Sequence, residues 1–159
     1  GPLPMYIEPP ITKVSRTDLT EEYPYTLITG GRSHAFFHTE YRNSPWMREV
    51  HMFPTMDINP ATAAELSIEQ DDWCWIETYV DRIRQRANLT EAIKPDTIHV
   101  EHDWWFPEKE EAYPSLFGVF ESSVNVILDD DPDSLDQLIG AWQQTGVAAK
   151  VYRCAEGEY

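Results

Sequence analysis

A mainly β fold, a barrel interrupted by short helices, is predicted by three features of this 159-residue sequence. Apolar runs of about five residues recur between turn-forming residues, the spacing expected of strands rather than of long helices. The helical signals between them are brief, which argues against alternating β-α units. With 42% hydrophobic and 13% aromatic residues, the chain can build one sizeable core.

Residues 1–22 carry Pro2, Pro4, Pro9 and Pro10 and few periodic apolar positions, so an extended arm, poorly ordered on its own, is expected there. Residues 23–159 are expected to form the barrel. Tyr25 to Thr29 reads as a buried strand stopped by Gly30-Gly31. Ser33 to Tyr41 is a short helix or an irregular loop, and Ser44-Pro45 marks a break. Met56 to Ile58 is a short strand running into Asn59-Pro60, an N-cap followed by proline at the first helical position, so Pro60 to Leu66 is helical. Trp73 to Thr78 and Arg82 to Ala87 form a hairpin across Tyr79 to Asp81, with Ile83 facing away from Arg82 and Arg84. Thr97 to Glu101, Val124 to Leu128 and Ala148 to Tyr152 complete the predicted strands, and an acidic loop follows Trp104-Trp105-Phe106-Pro107.

The formal charge of −16 argues against free nucleic acid as a partner, because phosphate binding rests on Lys and Arg. Acid clusters at Glu108, Glu110, Glu111 and Asp129 to Asp131 face a basic stripe at Arg82, Arg84 and Arg86, which suggests two faces of opposite sign. No apolar run approaches the ~20 residues that a membrane-spanning helix needs. Cys74 and Cys154 form no Cys-x-x-Cys and are expected to be buried thiols.

Thr29-Gly30-Gly31-Arg32-Ser33-His34 is the most informative stretch: glycines after a strand let backbone approach a phosphate or flat ring, and Arg32 can clamp an anion. An ordinary turn would use the same dipeptide. His34 and His38 would share a face of a helix, and His99, Glu101 and His102 form a second cluster, but no zinc signature accompanies them and no protein-bound metal is expected. The Trp104 to Phe106 cluster can stack on a planar ligand or fill the core. Asn125, between Val124 and Val126, reads as a buried strand-end amide in need of partners. No nucleophile elbow or triad is present, so no catalytic residue is assigned. The sequon Asn88-Leu89-Thr90 carries little weight.

Taken in order, the segments from Tyr23 (YPYTLITGGRSH), Asp57 (DINPATAAEL), Asp72 (DWCWIE), Arg82 (RIRQRA), His102 (HxWWFPE, x any residue) and Asn125 (NVILDDDP) resemble the carboxy-terminal domain of the dimethyl sulfoxide reductase family of molybdopterin oxidoreductases. Order and spacing carry the resemblance, which spans most of residues 23–153. The WWFPE stretch from Trp104 is most similar to branches that include acetylene hydratase and thiosulfate or polysulfide reductase catalytic subunits. Ser67, Asp71 and Val80 stand where such relatives often have turn glycines, and Gly31 adds a second glycine before Arg32.

The resemblance implies a double-psi β-barrel covering one side of a bis-molybdopterin guanine dinucleotide that coordinates molybdenum or tungsten. It implies cofactor contacts at Thr29, Gly30, Gly31, Arg32, Ser33 and His34 and at Asn125, with Trp105 and Thr145 near the same surface. The iron–sulfur cluster and the metal ligand of such enzymes lie upstream, so this domain alone is not expected to turn over. Implied partners are the upstream domains of the same polypeptide and an iron–sulfur electron-transfer subunit, in the cytoplasm or periplasm of a prokaryote. Other double-psi barrels include a pyruvoyl-dependent decarboxylase, which needs a Gly-Ser cleavage site that this sequence lacks. A substrate-recognition or protein-interaction barrel without pterin is the alternative.

Overall fold

The computed structural model describes residues 5–136 and 139–158. Six strands, β1 (Tyr25–Gly31), β2 (Thr55–Ile58), β3 (Trp73–Glu77), β4 (Arg82–Leu89), β5 (Thr97–Glu101) and β6 (Val147–Arg153), close a barrel in the order β1-β5-β2-β4-β3-β6. β1/β5 and β2/β4 are parallel and the other pairs antiparallel. Three short helices, α1 (Pro45–Val50), α2 (Pro60–Glu65) and α3 (Val119–Ser122), lie between strands. This is the mainly β barrel with helical insertions that the sequence predicts.

Alternation fills the interior: Met56 and Ile58, Cys74 and Ile76, and Ile83, Gln85 and Ala87 are buried while their neighbours are not. Each buried Ile or Leu stabilises the fold by roughly 1.5–3 kcal/mol. Gln85 is a polar residue inside, and it is satisfied: Nε2 donates to the Glu101 and Ser122 carbonyls (3.1 and 3.2 Å), and Oε1 accepts from the Glu101 amide (3.0 Å). α2 starts as expected, with Asn59 Oδ1 accepting from the Ala61 amide at 3.0 Å and Pro60 first in the helix.

Several expectations are corrected. Val124 to Leu128 is not a strand: Val124–Ile127 is a 3-10 turn that buries Val124 and Ile127. Its period of three replaces the alternation that the Val and Ile residues suggested. Ser44-Pro45 begins a helix instead of breaking the chain, since proline lacks only an N–H that the first turn leaves unused. Within the basic stripe Arg84 pairs with Glu121, Arg82 donates to the Tyr152 hydroxyl, and Arg86 donates to the Asp71 carbonyl and lies 3.9 Å from the Asp71 carboxylate.

The arm is less extended than predicted. Residues 10–15 turn, Thr17–Leu19 is a 3-10 helix, and Ile11 is buried in the barrel cluster. The Ile11 amide donates to Gln143 Oε1 (2.8 Å), and Gln143 Nε2 donates back to the Ile11 carbonyl. Pro2 and Pro4 lie outside the described residues. Cys74 and Cys154 are free and buried as expected, and burial pushes their thiols up to about 12 and about 11.

Of the three positions where the resemblance leads one to expect a turn glycine, two occupy glycine-like backbone. Ser67 (φ 55) and Asp71 (φ 68) are left-handed, whereas Val80 is not.

Candidate functional site

At one rim of the barrel the carboxyl ends of the parallel strands β1 and β5 lie side by side, Gly31 opposite Glu101. β1 does not end at the glycines, as the sequence suggested, but continues through them with a bulge between Ile28 and Gly31. Gly30 takes φ +93, and a Cβ built there would meet nothing within 4 Å. Gly31 needs no positive φ, yet a Cβ there would fall 2.0 Å from His99 Cε1. The turn beyond carries exposed Arg32 and His34, while Ser33 is half-buried with its hydroxyl accepting from the Ala35 amide (3.1 Å).

A hydrogen-bonded line joins this turn to Asn125. The His102 amide donates to the Gly31 carbonyl (2.9 Å), and the His102 ring Nε2 lies 3.0 Å from Asp103 Oδ2 and 3.3 Å from His38 Nδ1. Asp103 Oδ1 then accepts from Asn125 Nδ2 at 3.1 Å and from the Ser123 hydroxyl at 3.3 Å. Asn125 is exposed on the 3-10 turn, which corrects the expectation of a buried strand amide. Thr78 Oγ1, donating to the Ile127 carbonyl (2.7 Å), ties that turn to the β3-β4 hairpin.

Thr29 also belongs to this rim, its hydroxyl donating to the Gln144 carbonyl, and the neighbouring Gly146 amide donates to the Leu27 carbonyl. Thr145 is exposed beside it. Trp105 is half-buried and donates Nε1 to the Thr39 carbonyl (2.7 Å), so it staples residues 33–41 to the segment after β5. The stretch holding His34 and His38 is not helical, and His38 faces His102 rather than His34. Among the described residues no group of three or more His, Cys, Asp or Glu is placed to hold a metal ion.

Beneath the turn is a second aromatic cluster of Phe36, Trp104 and Phe106. Arg42, 1% exposed, stacks 3.9 Å over Trp104 and 4.5 Å from Phe36, and its Nη2 donates to the Asp103 and His38 carbonyls. Burial pulls its pKa down to about 10, so it remains charged at neutral pH. Buried Glu101 is 3.9 Å from Arg42 and 2.7 Å from His51 Nε2, and it accepts from the Thr55 amide.

A cleft of about 370 Å³ opens between the turn and β2/β5, lined in part by Arg32, His34, His51, Asp57 and His99. There Asp57 Oδ2 meets His99 Nδ1 at 2.7 Å, and its Oδ1 accepts from Asn88 Nδ2. Burial opposes ionisation of Asp57, but these two hydrogen bonds outweigh it and its pKa lies below the ordinary aspartate value. A larger hollow of about 640 Å³ among Asp71, Trp73, Arg86 and Cys154 contains none of the expected cofactor-contact residues. Arg153 and Asp72, which line it, pair with each other at 3.0 Å.

The sequence did not single out Asp103, Arg42, His51 or Asp57 for this rim. Each has a partner far away in the chain, 61 residues in the case of Arg42 and Asp103.

The family described as Molydopterin dinucleotide binding domain matches residues 25–141. Dopamine dehydroxylase from Eggerthella lenta is 42% identical over 95% of this chain, and acetylene hydratase from Syntrophotalea acetylenica is 32% identical over 96%. This chain covers only 14% and 21% of those proteins. The solved acetylene hydratase from Pelobacter acetylenicus superposes with a TM-score of 0.89 at 32% identity, over 96% of this chain and 21% of that one. The chain therefore belongs to the molydopterin dinucleotide binding domain family, related to the dimethyl sulfoxide reductase family of molybdenum and tungsten oxidoreductases.

Proposed function

We propose that this chain is the carboxy-terminal cofactor-binding domain of a molybdenum- or tungsten-dependent oxidoreductase, holding one side of a bis-molybdopterin guanine dinucleotide and carrying no catalysis of its own. In this proposal residues 23–159 form the domain as a double-psi barrel, residues 1–22 lead in from upstream domains, and those domains hold the metal ligand and an iron–sulfur cluster. The two parallel pairs within an otherwise antiparallel closed barrel support the double-psi assignment.

The observation that carries the proposal is the convergence of the bulged glycine turn and Asn125 on one hydrogen-bonded line through His102 and Asp103. The open face at Gly30 fits the approach of a flat or phosphate-bearing group. Arg32 would neutralise an oxyanion there. Asn125 gives its N–H to Asp103, which leaves its carbonyl oxygen to accept an N–H from a bound heterocycle. When bound, the metal–pterin group supplies the electron chemistry, and this chain's residues supply orientation and exclusion of water.

No described helix is long and apolar enough to cross a membrane. A prokaryotic cytoplasmic or periplasmic enzyme, working with an iron–sulfur electron-transfer subunit, is the setting proposed.

The test is to purify the full-length reading frame and assay molybdenum, tungsten and guanine nucleotide. All samples should carry metal and nucleotide, and Arg32→Ala and Asn125→Ala should lower both several-fold at unchanged thermal stability. A full-length protein that lacks both groups overturns the proposal.

A further inference from the structure

The two adjacent glycines are needed for opposite reasons. Gly30 has a backbone that only glycine adopts easily, φ +93, and unlimited room around it. Gly31 has a backbone open to any residue and no room at all, because His99 Cε1 and Nε2 lie 2.0 and 2.2 Å from where a Cβ would be. The imidazole thus occupies the space of a side chain at position 31.

His99 is fixed in that place. Its neighbours in β5, Ile98 and Val100, point into the barrel, which turns His99 outward beneath the bulge. Asp57 Oδ2 meets its Nδ1 at 2.7 Å, and Asp57 Oδ1 is held in turn by Asn88 Nδ2 at 2.7 Å. These three residues sit on consecutive barrel strands, since Asp57 is in register with His99 on one side and with Asn88 on the other.

We propose that His99 is the positioning residue of the Gly30 to His34 turn, a floor held by Asp57 and Asn88 that sets how that turn presents its backbone and Arg32. The pairing with Gly31 is a matter of shape and stands independently of any ligand. Its consequence for cofactor retention rests on the function proposed above.

Five variants of the full-length reading frame test it: G31A, H99A, G31A/H99A, G30A and G30A/H99A. Amide hydrogen exchange across residues 28–36 is the first measurement, and retained metal and guanine nucleotide the second. G31A should speed exchange by roughly tenfold and lower retention. H99A should do the same more weakly, because the turn loses its floor. In the double variant the methyl group enters the vacated space, so exchange and retention should return toward the parent values. No such rescue should occur at Gly30, where strain and not space is limiting.

If adding H99A leaves the G31A defect unchanged or deepens it, His99 is not the positioning residue. Should G31A fail to accumulate, accumulation of G31A/H99A supports the proposal, and failure of both overturns it. Rescue of exchange in protein that holds neither metal nor nucleotide would preserve the His99–Gly31 pairing while removing the proposed function.

Discussion

The barrel interior and the aromatic cluster beneath the turn are both buried, but they are built on different chemistry. The interior is aliphatic, with Ile58, Ile76, Ile83 and Ile98 fully enclosed and its polar member, Gln85, hydrogen-bonded at both ends of its amide. The second cluster encloses a guanidinium between Trp104 and Phe36, and leaves Arg42 Nε, Arg42 Nη1 and Trp104 Nε1 without hydrogen-bond partners. Buried polar atoms left unpaired cost stability, so the barrel is the stable scaffold and the second cluster is the weaker part that shapes the site.

The largest effects should separate the two regions. Ile83→Ala should lower global stability by about 2–5 kcal/mol in denaturant unfolding. Trp104→Ala removes a side chain that also supports the turn, and here the expected loss is local: faster amide exchange over residues 33–42 with the six strands still protected. Equal loss of protection in the strands would mean that the clusters unfold as one unit.

A middle-sized effect probes the buried cation. Arg42→Ala leaves a cavity and unstacks two rings, a change expected to cost about 3 kcal/mol. Arg42→Met refills the volume but leaves buried Glu101 and the His38 and Asp103 carbonyls without the guanidinium, so it should cost about 3 kcal/mol as well. If Met is much less damaging than Ala, volume and not the charge holds the cluster together.

Acid should act on the ion pairs that link the rim to the barrel. Burial disfavours ionised Glu121, but hydrogen bonds from Lys109 and Arg84 outweigh this, and its pKa, like that of Asp57, is lowered on folding. A depressed folded pKa adds stability above the unfolded value, about 4 for carboxylates, that is lost as pH falls through the folded value. Melting temperature should therefore hold steady above about pH 5 and fall below it, and Glu121→Gln should flatten that acid limb.

The smallest effect runs in the other direction. Ser67→Gly relieves a left-handed residue, and a gain of roughly 0.5–1 kcal/mol in chemical denaturation is expected. The same exchange at Val80 should bring no gain, since Val80 does not have positive φ.

The sequence made the barrel legible because alternation writes a strand's inward face into its own residues, as in β4 with Ile83, Gln85 and Ala87. The Val124 to Ile127 turn misled because the branched residues that favour strands also pack well in a 3-10 turn when neighbours such as Thr78 fix the backbone. α1 was missed although Pro45 stands where Pro60 stands in α2; Asn59 caps α2 with its side chain, and Ser44 makes no such bond. At the site, the glycine turn and Asn125 could be singled out locally. Asp103, the link between them, is in neither segment and has a left-handed backbone (φ 38) that no nearby residue type announces.

The order of closure has a practical side. β6 zips the barrel shut between β1 and β3, yet it begins at Val147, beyond the stretch 25–141 that the family match covers. A piece of this protein trimmed to the recognisable family segment would therefore carry two bare strand edges, along β1 and along β3, each offering unpaired amides and carbonyls to other chains. Such a fragment should come out of solution as aggregate, while one that continues through Arg153 should stay dispersed.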